Sequence, residues 1–150
     1  MIHPSQQSPL ILVADANEDN LYLLTTVVED LGFRSLAMSS GDTAIKAGKR
    51  YCPALLLLET RFPNIEGYEI LSAIKRHHRR TRIAAIAVTS AAMPGDRDRC
   101  LGTGFDDYLA KPYSIATLES LIYKHICRVK EYADFSRTLA QSFPSITQHS

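Results

Sequence analysis

Long apolar runs are missing from this chain. No stretch approaches the ~18 consecutive apolar residues of a membrane-spanning helix. A surplus of one charge is missing too. Seventeen Lys and Arg face 16 Asp and Glu, for a net charge of +1, so no global field selects a nucleic acid or a membrane. Cysteine is scarce, with only Cys52, Cys100 and Cys127. An odd number at wide spacing excludes a disulfide framework and reads as small core hydrophobes in a reducing compartment. No "GxGxxG" or "GxxxxGK[ST]" stretch follows an apolar run, which argues against a nucleotide-binding doubly wound domain. The opening "MIHPSQQSP" lacks the apolar core and basic flank of a signal peptide. The expected location is the cytoplasm.

What is present is a regular alternation. The 150 residues suit one domain with its own core, and 45% are hydrophobic. Short apolar runs occur at 10–15, 33–38, 54–59, 83–88 and 105–110. Several are apolar on both faces, as strands of a helix-covered parallel sheet must be. Amphipathic segments lie between them. Leu21, Leu24, Val28 and Leu31 mark a helix over 18–31 that Gly32 stops. Others are expected over 41–50, over 67–78 with Tyr68, Leu71 and Ile74 inward, and over 94–102 from Pro94. The last is expected over 114–130, capped by Ser114, with Thr117 leaving its capping box incomplete. Five β-α units predict an α/β fold with an open parallel sheet and helices on both faces. The expected divisions are a tail over 1–8, the domain over 9–128, and an extension over 129–150.

In such a fold, chemistry gathers beyond the carboxyl ends of the strands. Asp15 and Ala16 follow the first run, Glu59 ends the third, Thr89 follows the fourth, and Lys111 and Pro112 follow the fifth. Asp15, Glu59, Thr89 and Lys111 are expected to converge in one shallow pocket suited to an anionic acyl group.

These stretches resemble the receiver domains of response regulators in two-component signalling, over roughly residues 9–128. "ILVADANEDN" is similar to the family's opening strand and its acidic pair. "ETRFPNIEGYEIL" is similar to the stretch that begins at the phospho-accepting aspartate. "AVTSAAMPGDRDRCLGTGFDDYLAKPYS" resembles the closing half, with the Thr, the switch aromatic and the Lys-Pro. The resemblance implies a flavodoxin-like doubly wound sheet of five parallel strands in the order 2-1-3-4-5. Thr89, Tyr108, Lys111 and Pro112 match the family pattern. Two positions depart from it. Ala16 stands where a second acid is expected, and Glu59 stands where the acceptor aspartate is expected.

Each departure acts on phosphoryl transfer. Mg²⁺ demands near-octahedral oxygen ligands, and Ala16 removes one. Glutamate carries its carboxylate about 1.5 Å farther out, and a misplacement of ~1 Å can cost on the order of a hundredfold in rate. The expectation is a stand-alone, atypical receiver that is phosphorylation-independent, has weak or absent Mg²⁺ binding and no other cofactor, and works by protein contact rather than as an enzyme. Its expected partners are a histidine kinase, another regulator or a second copy, met through the face of the fourth helix, fifth strand and fifth helix. No direct nucleic-acid contact is expected. The alternative is a functional phosphoacceptor in a His-Asp phosphorelay. Two readings of Glu59 stand side by side: a mimic of the phosphorylated state, and a remnant paired with Lys111. Arg61 is either a guanidinium filling the vacated metal site or a solvated side chain. Tyr108 is either a working switch or sheet-edge packing.

Two further stretches invite attention. "KRHHRR" (75–80), followed by Arg82, reads as a solvated basic helix end, with an acidic partner and then a nucleic acid as the lesser readings. Residues 128–150 continue a helical apolar pattern through Val129, Tyr132, Phe135 and Leu139, either packing on the domain or meeting a partner.

Overall fold

A computed structural model describes residues 8–90 and 92–128. The strands are β1 (Leu10–Ala14), β2 (Arg34–Met38), β3 (Leu55–Leu58), β4 (Ala84–Thr89) and β5 (Asp107–Ala110). The helices are α1 (Glu18–Asp30), α2 (Gly41–Tyr51), α3 (Gly67–His77), α4 (Asp96–Gly102) and α5 (Ile115–Cys127). All strand pairs are parallel, in the order β2-β1-β3-β4-β5. This is the expected architecture. The extension beyond residue 128 lies outside the described residues.

Alternation along each strand divides the core in two. Ile11, Val13, Leu55, Leu57, Ile86 and Val88 face one layer, where Leu24, Val28, Leu118, Ile122 and Ile126 of α1 and α5 cover them. Leu12, Ala14, Leu56, Leu58, Ala85 and Ala87 face the other, under Ala44, Ala47, Ile70, Leu71 and Ile74 of α2 and α3. All four leucines of β3 are fully buried, each contributing roughly 1.5–3 kcal/mol by leaving water. The apolar run at 55–58 is therefore a central strand covered on both sides.

Caps set the helix ends. Asn17, Ser40 and Ser114 side chains accept backbone N–H bonds from the first turns of α1, α2 and α5. Gly32 adopts φ 91° just past α1, and Gly32 and Phe33 return N–H bonds to the carbonyls of Glu29 and Val28. At Ser114 the hydroxyl lies 2.7 Å from that of Thr117, so the pair meets without the acid of a full box.

Three expectations are corrected. Helix α4 starts at Asp96, not at Pro94, because Gly95 takes a left-handed φ of 87° and the Asp96 carboxylate accepts the Met93 N–H at 2.6 Å, closing a turn first. Tyr68 is exposed, and Ile70 takes the inward position beside Leu71 and Ile74. Cys127 is exposed, while Cys52 and Cys100 are only partly buried against the α2–α3 layer.

Candidate functional site at the carboxyl edge of the sheet

Asp15, Glu59 and Lys111 each sit one step past a strand, held there by an extra rung of the ladder, and Thr89 is the last residue of β4 itself. The Asp15 N–H donates to the Met38 carbonyl, Glu59 N–H to the Ala14 carbonyl, and Lys111 N–H to the Thr89 carbonyl, at 2.8–3.1 Å. The backbone thus brings two acids and an ammonium to adjacent positions. Asp15 is anchored further, since its Oδ1 accepts the Asn17 N–H at 2.9 Å. The Lys111–Pro112 peptide bond is cis, and Pro112 itself is exposed.

Lys111 Nζ lies 2.5 Å from Asp15 Oδ2 and 2.8 Å from Glu59 Oε2. One ammonium therefore serves both carboxylates, leaving the trio with a formal charge of −1. All three side chains are nearly buried, the lysine at 11% exposure and the acids below it.

The other oxygen of Glu59 is held by Thr60, a residue the sequence reading passed over. Oε1 accepts the Thr60 N–H at 2.9 Å and lies 3.2 Å from its hydroxyl. That hydroxyl is also 2.9 Å from Thr89 Oγ1. The Thr60 hydroxyl is the donor in both contacts, so its one proton is shared between Glu59 Oε1 and Thr89 Oγ1. The relay couples the acid on β3 to the hydroxyl on β4.

Arg61 does not enter this cluster. Its side chain is exposed, its backbone bridges to Glu66, and among the described residues it has no ion pair. Lys111 fills the role proposed for it, because the backbone ladder delivers Lys111 directly between the acids. Ala16 is exposed on the loop after β1 and offers no side-chain oxygen. Tyr108 is half-buried and shares a cleft of about 140 Å³ with Thr60, Thr89, Cys100 and Phe105.

Behind β5 lies a second polar arrangement that the sequence reading also missed. Fully buried His125 on α5 places Nε2 3.0 Å from Asp107 Oδ2. Asp107 Oδ1 accepts the Tyr108 N–H at 3.0 Å. Burial works against the charged carboxylate, but the bond to His125, with Tyr108 N–H and Lys124, holds Asp107 below its ordinary range.

Gly67 fixes the loop that carries Glu59. Its N–H donates to the Thr60 carbonyl at 2.8 Å. A Cβ there would lie 2.5 Å from the Glu59 carbonyl oxygen and 3.0 Å from Thr60 Cα. Both are backbone atoms that cannot swing aside. Gly67→Ala is expected to lower stability by about 1–3 kcal/mol, read as a lower urea midpoint; an unchanged midpoint would show the loop to be more pliant than this packing implies.

The donors at hand do not fit a magnesium ion well. Two carboxylates face the pocket with an ammonium already between them. Among the described residues no group of three or more His, Cys, Asp or Glu gathers where a metal could sit. A hard divalent cation would have to displace Lys111 and gain oxygen ligands that Ala16 does not supply.

Fold and site together define a doubly wound α/β domain with a mixed-charge pocket where strand order reverses. The family model described as response regulator receiver domain matches residues 11–123, and the chain belongs to that family, a module of two-component signalling. It is 30% identical over 105 residues to the polar-differentiation response regulator DivK of Brucella ovis, covering 70% of this chain and 85% of that protein. It is also 30% identical over 123 residues to the sensor protein GacS of Pseudomonas syringae pv. syringae, covering 80% of this chain but only 14% of that much longer protein. Among solved structures, the receiver domain of a sensor histidine kinase from Pseudomonas aeruginosa PAO1 has a TM-score of 0.69 and 30% identity, covering 78% of this chain and 96% of that one. That receiver holds a magnesium ion in its active site cleft.

Proposed function

We propose that this receiver domain signals without accepting a phosphoryl group, by docking to protein partners. The observation that carries the reading is Lys111 Nζ seated between Asp15 and Glu59 at 2.5 and 2.8 Å. The cation that would otherwise steady an incoming phosphoryl group is already neutralised. The acid that replaces the acceptor spends one oxygen on Lys111 and the other on Thr60. Its carboxyl carbon is also displaced by a methylene, about 1.5 Å, and in-line attack is sensitive to ~1 Å.

The same contacts support the mimic reading over the remnant. Through Thr60, Glu59 restrains Thr89, the hydroxyl that lines the Tyr108 cleft. A phosphoryl group would bring nearly two charges to that place, and Glu59 brings one permanently. Input then comes through abundance or binding instead of phosphate. Partners are a histidine kinase, another regulator or a second copy, met through the α4–β5–α5 face. GacS is a sensor protein and DivK a response regulator, which is the company such a module keeps.

The test is incubation of the intact chain with acetyl phosphate and Mg²⁺, followed by intact mass. No adduct is expected, and melting should be unmoved by low-millimolar Mg²⁺. A gain of about 80 Da (one phosphoryl group) on Glu59 or Asp15 would establish the phosphoacceptor alternative instead.

A further inference from the structure

The end of the sheet opposite the acidic pocket carries a dense positive charge, of which Lys75 donates to the Gly104 carbonyl at 3.1 Å and Arg50 lies over the Tyr51 ring. Residues 75–82 hold five of the chain's 17 Lys and Arg: Lys75, Arg76, Arg79, Arg80 and Arg82. Beside them, Lys49 and Arg50 occupy the last turn of α2. The two helix ends are joined, since the His78 ring nitrogen lies 2.9 Å from the Gly48 carbonyl oxygen. Among the described residues none of these seven cations has an ion pair within the chain.

Helix dipoles do not account for this. A cation in the last turn is favoured by about 0.3–1 kcal/mol, and the effect fades within that turn. It covers Lys49, Arg50, Lys75 and Arg76. Arg79, Arg80 and Arg82 lie beyond the end of α3 at His77, where they only repel their neighbours. The surface is also concave. Lys75, His78, Arg79, Thr81 and Arg82 border a polar hollow of about 290 Å³. The acid there, Asp106, is engaged by the Ala85 N–H at 2.8 Å. Acids of α2 and α3, by contrast, sit at the other end, at Asp42, Glu66 and Glu69.

We infer that this α2–α3 base is a docking surface for an acidic, carboxylate-rich segment of a partner protein. Guanidinium groups are in the majority, and their planar forks match carboxylates in a bidentate manner. The chain as a whole carries only +1, far from the strongly basic balance of a nucleic-acid-binding domain. The attraction is local, which suits a short acidic segment more than an extended polyanion. The surface stands apart from the Glu59 pocket, and its role does not depend on how that pocket signals.

The experiment uses a fluorescein-labelled peptide of ten alternating Glu and Asp residues, and a labelled ten-nucleotide single strand, titrated with the full chain at low and at physiological salt. Anisotropy should report peptide binding that weakens with salt and is about tenfold weaker in Arg79→Glu/Arg82→Glu. The charge-neutral pair Arg79→Gln/Arg82→Gln should show the same direction of change. Circular dichroism confirms that each variant is folded, and Arg61→Glu, exposed at the opposite end of the sheet, should bind as the natural chain does. No peptide binding, an equal loss in Arg61→Glu, or tighter binding of the oligonucleotide would each overturn the assignment, the last in favour of nucleic acid.

Discussion

Replacing Lys111 by methionine should destabilise the domain by about 3 kcal/mol at neutral pH. The substitution keeps the length and apolar stem but removes the ammonium shared by Asp15 and Glu59. Two nearly buried carboxylates then face each other unpaired, and breaking such a cluster from one side costs roughly 3–5 kcal/mol. The lower figure applies because the pocket opens at the edge of the sheet. The pH dependence separates this from a packing defect. In the natural chain, burial opposes the charged form of Glu59, but bonds from Lys111 and Thr89 and the charge of Lys111 outweigh it and hold the carboxyl below its usual range. That contribution is present above the unfolded carboxylate value of about 4.3 and is lost as pH falls through the lower folded value. For Lys111, burial lowers and the two acids raise, leaving the ammonium above its usual range. Its contribution is complete below about pH 10.4 and lost as pH rises past that. The variant should invert the acid limb, becoming more stable from pH 7 towards pH 5 as the unpaired acids take up protons. Urea midpoints at the two pH values measure this; a variant as stable as the natural chain at pH 7 would show that the cluster adds nothing.

Restoring both departures should produce the largest functional change. Ala16→Asp places a third carboxylate on the loop beside Asp15, and Glu59→Asp withdraws the second by one methylene. The pocket then holds three acids against one lysine, an imbalance that a divalent cation resolves. The double variant should melt higher in low-millimolar Mg²⁺ and gain about 80 Da from acetyl phosphate. Each single variant should do so far less, because one still lacks the ligand and the other still misplaces the acceptor. If the single Glu59→Asp chain is labelled as fully as the double, Ala16 is not an obstacle. If the double takes up neither metal nor phosphate, Ala16 and Glu59 are not what closes this pocket to phosphoryl transfer.

The fold was legible because the signals were local and repeated. Leu55 to Leu58 suited a strand covered on both faces, and Gly32 suited the end of a helix. Convergence of Asp15, Glu59, Thr89 and Lys111 was expected from their places at the carboxyl ends of the strands. What escaped was decided by side-chain direction or by long-range pairing. Thr60 stood next to Glu59 in plain view, yet its value comes from Thr89, 29 residues away. Asp107 read as one acid in a strand, and only the folded chain brings His125 against it. Of the two readings of Arg61, the solvated one holds, since its backbone bridges to Glu66 and its side chain is exposed. The reciprocal cap at the start of α3, between Glu66 and Glu69, was missed because a glutamate is an unusual residue in the cap position.

The Asp107–His125 pair bears on how quickly any companion lets go. One carboxylate accepts a strand amide on one side and meets a helix imidazole on the other, which ties β5 to α5. A partner docking on the proposed α4–β5–α5 face would meet a surface already shaped and surrender little freedom on arrival. Its tightness would then be governed by the lifetime of the complex more than by the speed of its formation.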